Sequence, residues 1–111
     1  MNDKLIIIKE YKLFINRYDK FIYNLDNKYK DIKTRVISTV YSILEDIYYC
    51  NLLPVNKRKN YQLKIISKIK ILDFYFSKLY LNKVILEKHY IDISKNLVTI
   101  LKLILGWIKW K

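Results

Sequence analysis

Glycine, proline and cysteine are almost missing from this sequence: Gly106, Pro54 and Cys50 are the single examples among 111 residues. A sheet protein of this length needs many tight turns, and tight turns draw on glycine and proline. Their scarcity argues against a sheet, although the plentiful Ile, Tyr and Phe are good strand formers. A lone cysteine excludes an intrachain disulfide and gives no hint of secretion. A small buried role suits Cys50. His89 is also alone, with no Cys or His near it at metal-ligand spacing, so it reads as a packed or exposed residue and no metal is expected.

Acids are few as well. Ten Asp and Glu stand against 22 Lys and Arg, for a net charge of +12. The acids are scattered among lysines and read as solvated faces. No Ser-His-Asp set, paired-carboxylate site or Gly-rich phosphate loop can be assembled. The expectation is a protein that is not an enzyme and needs no cofactor. Long apolar runs are lacking too. Leu5–Ile8 is too short for a signal-peptide core. The C-terminal apolar stretch is broken by Lys102 and falls short of the roughly 20 residues that a membrane span requires. A cytoplasmic chain is expected.

What the sequence does have is hydrophobicity, at 52% of residues, in a pattern of three-and-four spacing that recurs in every segment. That period belongs to helices. It predicts a single domain over residues 1–111: an all-α, antiparallel up-down-up-down four-helix bundle with short connections. The first helix covers Leu5 to about Leu25, with a seam of Ile7, Tyr11, Phe14, Tyr18, Phe21 and Leu25. Its tyrosines could stack on bases, but core spacing makes packing the simpler role. Asp26–Lys30 forms the first break. The second helix runs from Asp31 to about Leu53, before Pro54. It carries one seam of Ile32, Val36, Val40, Ile43 and Ile47, and a second beside it of Ile37, Tyr41, Leu44 and Tyr48. The third helix runs to about Asn82 on a seam of Ile65, Ile69, Leu72, Phe76 and Leu79. The fourth begins at Glu87.

Two stretches stand out. From Lys57 to Lys83 there are eight Lys or Arg and one acid, Asp73, a net of +7. A solvated lysine face is the plain explanation. The concentration favours contact with a polyanion, through Lys57, Arg58, Lys59, Lys64, Lys68, Lys70 and Lys78. The second stretch is Ile85–Lys111. Its polar residues Lys88, Asp92, Lys95, Thr99, Lys102, Gly106 and Lys109 make one narrow stripe. The remaining surface is apolar over more than half the circumference, which predicts cover from two sides: the chain's own core and another subunit. Leu97, Leu101, Ile104, Gly106 and Trp107 are the candidate packing residues. Gly106 in mid-helix predicts close approach of a neighbouring helix. An interfacial role for Trp107, Lys109, Trp110 and Lys111 at a membrane surface is the weaker alternative, because so wide an apolar face suits burial in protein.

The ending Leu103-Ile104-Leu105-Gly106-Trp107-Ile108-Lys109 resembles the terminal signature of the Avd-like four-helix proteins, the accessory variability determinants of diversity-generating retroelements. Lys88-His89-Tyr90, whose last residue lies seventeen residues before Trp107, is similar to that family's Lys-Gln-Tyr element at its usual distance. Tyr18-Asp19, Arg35 and the four-helix length also fit. Lys102 falls where relatives place a basic residue. Leu105 departs from the family by replacing the first glycine of its usual pair. Asp73 and Ser77 stand where relatives often carry two arginines. The resemblance implies a non-enzymatic bundle that assembles as a homo-oligomeric ring, typically a pentamer. Such a ring binds a reverse transcriptase and its template RNA or cDNA and supports mutagenic copying. Proteins encoded by ribosomal-RNA intervening sequences are similar small bundles, and they imply an alternative: a structural interaction protein with no nucleic-acid role.

Overall fold

The computed structural model describes residues 3–109. Four helices account for nearly all of it: α1 (Asp3–Tyr23), α2 (Lys30–Leu52), α3 (Lys59–Leu81) and α4 (Glu87–Lys109). No strand occurs among the described residues. The molecule measures 44 × 22 × 20 Å. Its long dimension is set by helices of up to 23 residues, each roughly 34 Å at about 1.5 Å rise per residue.

The helices pack in cyclic order. α1 lies against α2 and α4, and α3 lies against α2 and α4. Each pairing runs antiparallel, as side-chain registers show. Lys12 sits over Tyr48 while Asp19 meets Tyr41. Tyr49 meets Tyr61 while Asp46 meets Lys68. Phe21 packs on His89 while Arg17 reaches Asn96.

The core follows the three-and-four seams. Ile7, Tyr11, Phe14, Tyr18 and Leu25 are buried from the first stretch. Ile22 is buried and Phe21 is half-buried, so the seam steps by four at that point. α1 ends at Tyr23, two residues before the expected Leu25, because Asp26 caps a 3-10 turn at Asn27–Tyr29 by accepting from the Lys28 amide at 3.0 Å. Val36, Val40, Ile43 and Ile47 are buried on α2, whereas Tyr41 and Tyr48 of its second seam are exposed. All five residues of the α3 seam are buried. Cys50 is a buried free thiol that donates to the Arg58 carbonyl at 3.7 Å, and burial pushes it up to about 11.

Helix ends are closed largely by cations. Lys33 Nζ donates to the carbonyls of Tyr23 (2.5 Å) and Leu25 (3.2 Å) just past α1. Arg58 donates to the carbonyls of Leu53 (2.8 Å) and Asn51 (3.3 Å) at the end of α2. At the end of α3, Lys83 takes a left-handed conformation with φ 62°. Its amide donates to Tyr80 O and that of Val84 to Leu79 O, both at 2.9 Å. This is a Schellman closure, a position where glycine is usual. Positive charge suits these ends, where unpaired carbonyls collect.

Candidate functional site

The residues singled out on α3 do not form one patch. Lys64, Lys68 and Lys78 share one flank of α3, on which Lys68 reaches α2. Lys70 lies about a third of a turn away, on the flank facing α4. It borders a small cavity of about 140 Å3 together with Asp73, Ser94, Val98 and Leu101. Lys57 and Lys59 sit at the end of the bundle where α3 begins, and both are exposed.

Two of the seven cations are engaged within the chain. Lys68 Nζ is 2.7 Å from Asp46 Oδ2 and donates to Ser42 Oγ at 2.5 Å. Arg58 spends its guanidinium on the α2 carbonyls. Lys57, Lys59, Lys64, Lys70 and Lys78 remain exposed. Lys64 lies over the Tyr61 ring at 5.8 Å, and Lys78 over the Phe74 ring at 5.9 Å. Such pairs place cations beside aromatic faces, the combination that single-stranded nucleic acids use for backbone and base. Asp73 is half-buried against α4, and its Oδ1 is buried without a hydrogen-bond partner among the described residues. It is thus turned away from the Lys64 and Lys78 flank.

On α4, the predicted packing residues divide. Leu97, Ile104 and Trp107 are buried in the chain's own core. Leu101 is half-buried, and Gly106 is exposed. The surface left over for another subunit is a different row. Ile91 (44% exposed), Val98 (46%) and Leu105 (44%) recur every seven residues. Ser94, Leu101 and Ile108, all half-buried, fall between them. This alternation of three and four is the a/d seam of a coiled coil. Exposed Leu63, Phe74 and Leu81 on α3 add further apolar surface. Three-and-four spacing around α4 does not by itself separate the inward row from this outward one; the seven-residue recurrence is the signal that does.

Gly106 does not mark a close approach inside the chain. A Cβ built there meets nothing within 4 Å. Trp107 is 3% exposed, and its Nε1–H has no acceptor among the described residues. Trp110 and Lys111, part of the membrane-surface alternative, lie outside the described residues. No described helix is long and apolar enough to cross a membrane.

A polar clip that no local sequence pattern marks joins α1 and α4. Tyr18 donates its hydroxyl to Asp92 Oδ2. Asn96 Nδ2 donates to the Tyr18 hydroxyl at 2.9 Å, and Arg17 donates to Asn96 Oδ1 at 2.5 Å. Burial, then the bond to Asp92, pushes the Tyr18 phenol up to about 12. His89 packs on Phe21 with ring centroids 4.8 Å apart. Among the described residues no three His, Cys, Asp or Glu side chains gather in a way that could hold a metal ion. Comparison with protein-family models, curated proteins and solved structures finds no match to this chain.

Proposed function

We propose that this protein is a non-enzymatic accessory factor of the Avd-like kind. In this reading it assembles as a homo-oligomeric ring, a pentamer by analogy, in the cytoplasm. It binds a reverse transcriptase together with template RNA or cDNA and supports mutagenic reverse transcription. The observation that carries the nucleic-acid part is the set of exposed lysines on and before α3, two of them paired with aromatic rings. Lysines hold phosphates by counterion release and read no bases. The outward seven-residue row on α4 supports self-assembly, since its Ile91, Val98 and Leu105 side chains stay exposed.

The test is RNA binding across a salt series. Each phosphate contact contributes roughly −0.7 to −0.9 to the slope of log affinity against log salt. A steep slope that falls when Lys64 and Lys78 are both changed to Gln is expected. A flat response, or no binding at low salt, rejects the reading. Co-purification with a reverse transcriptase encoded beside the gene tests the second partner.

One observation favours a structural interaction bundle of the intervening-sequence type instead. Part of the positive charge is consumed internally, by Lys33, Arg58 and Lys68. Under that reading the apolar α4 row still drives assembly, while RNA affinity is negligible.

A further inference from the structure

A cleft of about 710 Å3 opens where the α2–α3 connection meets the last turn of α4. Val55 and Ile108 give it apolar walls. Asn56 and Gln62 bring amides, and Arg58 and Lys59 bring positive charge. Trp107 completes the lining, and among the described residues no carboxylate contributes to it.

One buried donor here lacks an acceptor among the described residues, and a second polar side chain is buried beside it. Gln62 is 4% exposed, a polar side chain buried beside the core. The buried Trp107 Nε1–H is unpartnered among the described residues. Buried indole N–H groups ordinarily find an acceptor, so an orphan on a cleft residue points to a missing one. α3 begins at Lys59 on this rim, and no side chain caps it. Its first amides therefore add positive partial charge beside the Lys59 ammonium. The volume is far beyond what a bare oxyanion fills and matches pockets for organic ligands, which run about 300–1,000 Å3.

We propose that this cleft binds a phosphate monoester carrying a nucleoside-sized body: a free nucleoside 5′-monophosphate or the 5′-phosphorylated end of a nucleic-acid strand. The phosphate meets Lys59 and the uncapped start of α3. Gln62 and the Trp107 indole N–H hydrogen-bond the ligand's oxygens, and Val55 and Ile108 cover its body. The inference rests on the polyanion reading above and deepens it, adding an end-specific site to lateral lysine contacts.

The test uses a Trp110→Phe protein, in which Trp107 is the sole indole. Its emission and calorimetry are followed during titration with uridine 5′-monophosphate, uridine and inorganic phosphate. The monophosphate is expected to saturate at about tenfold lower concentration than either fragment. Gln62→Leu, which preserves side-chain volume, is expected to weaken it about tenfold, the loss typical of one hydrogen bond to a charged or polar ligand. Should Gln62→Leu lose helicity, Asn56→Ala on the exposed connection replaces it with the same expectation of weakening. Equal binding of inorganic phosphate, no saturation, or unchanged affinity in the folded variant overturns the proposal.

Oligonucleotides with 5′-phosphate and 5′-hydroxyl ends separate the two sources. A preference for the phosphorylated end supports the strand terminus, and monophosphate binding without that preference supports the free nucleotide. Failure here is distinct from failure of the proposed function. Long RNA that binds with a steep salt slope while the monophosphate does not removes only the cleft. Loss of both removes the polyanion reading as well.

Discussion

Tyr18 on α1 donates its hydroxyl to Asp92 on α4, joining helices whose residues lie 74 positions apart in the chain. Burial and the Asp92 bond push the folded phenol up to about 12, above its ordinary value of 10. An acid whose folded pKa is raised ionises first in the unfolded chain, so stability drains away as pH rises from about 10 toward 12 and is fully present below that window. Tyr11, buried and donating to Val40 O at 2.6 Å, is also pushed upward, so some alkaline loss persists without Tyr18. Urea midpoints measured from pH 8 to 12 should fall less steeply for Tyr18→Phe than for the parent. Identical slopes would show that the clip does not govern alkaline unfolding.

Gly106→Ala should raise the melting temperature. The residue is exposed in the last described turn of α4, nothing lies near its Cβ position, and Ala is favoured over Gly in a helix by up to about 1 kcal/mol. Trp107→Ala, one residue on, should instead cost about 3–5 kcal/mol by emptying a buried site. Thermal melts of the two variants check both signs, and light scattering shows whether Gly106→Ala alters assembly.

The two rows of α4 should respond differently to charge. Ile104 is fully buried, so Ile104→Asp is expected to unfold the chain. Val98→Asp places its charge on the outward row. It should leave helicity intact and reduce the mass seen by light scattering from oligomer to monomer. A parent protein that is already monomeric at micromolar concentration would remove self-assembly from the functional reading.

Asp46 restrains Lys68, and its removal should free a cation. Asp46→Asn is expected to strengthen RNA binding and steepen the salt slope by up to roughly 0.9, the share of one phosphate contact. Filter binding at several salt concentrations reads both changes. Weaker binding by the variant would mean that the ion pair positions neighbouring lysines for contact.

Lys83→Gly should stabilise the protein by about 1 kcal/mol, because the left-handed backbone at φ 62° carries a Cβ penalty that glycine lacks. Denaturant unfolding measures it. A destabilised Lys83→Gly would indicate that the lysine side chain contributes more at the helix end than its backbone strain costs.

The α3 seam was readable from the residues alone, since Ile65, Ile69, Leu72, Phe76 and Leu79 obey a period that any helix imposes. The fate of individual cations was not. Lys64 and Lys68 are one turn apart and look alike in the sequence, yet only Lys68 meets Asp46, 22 residues away. That difference depends on the register between α2 and α3, which local periodicity does not encode. Likewise the mid-helix glycine suggested a crossing helix, whereas its neighbourhood inside the chain is open. Arg58 read as part of a phosphate-binding triplet because its charge is visible and its two carbonyl partners are not.

Cyclic packing makes three of the four interhelical seams contacts between helices joined by a short turn. The exception is the α1–α4 seam, where Arg17 meets Asn96 across 79 positions. Loop-closure entropy therefore weighs on that seam more than on the other three. Because α1 and α4 run antiparallel side by side, the start of α1 lies beside the end of α4. Joining those ends by a short linker and opening the chain in the turn after α3 would make the α1–α4 pairing local. Such a circular permutant keeps the same bundle but moves the slow closure to α3 and α4, so the order in which the helices dock becomes a property of where the backbone is cut.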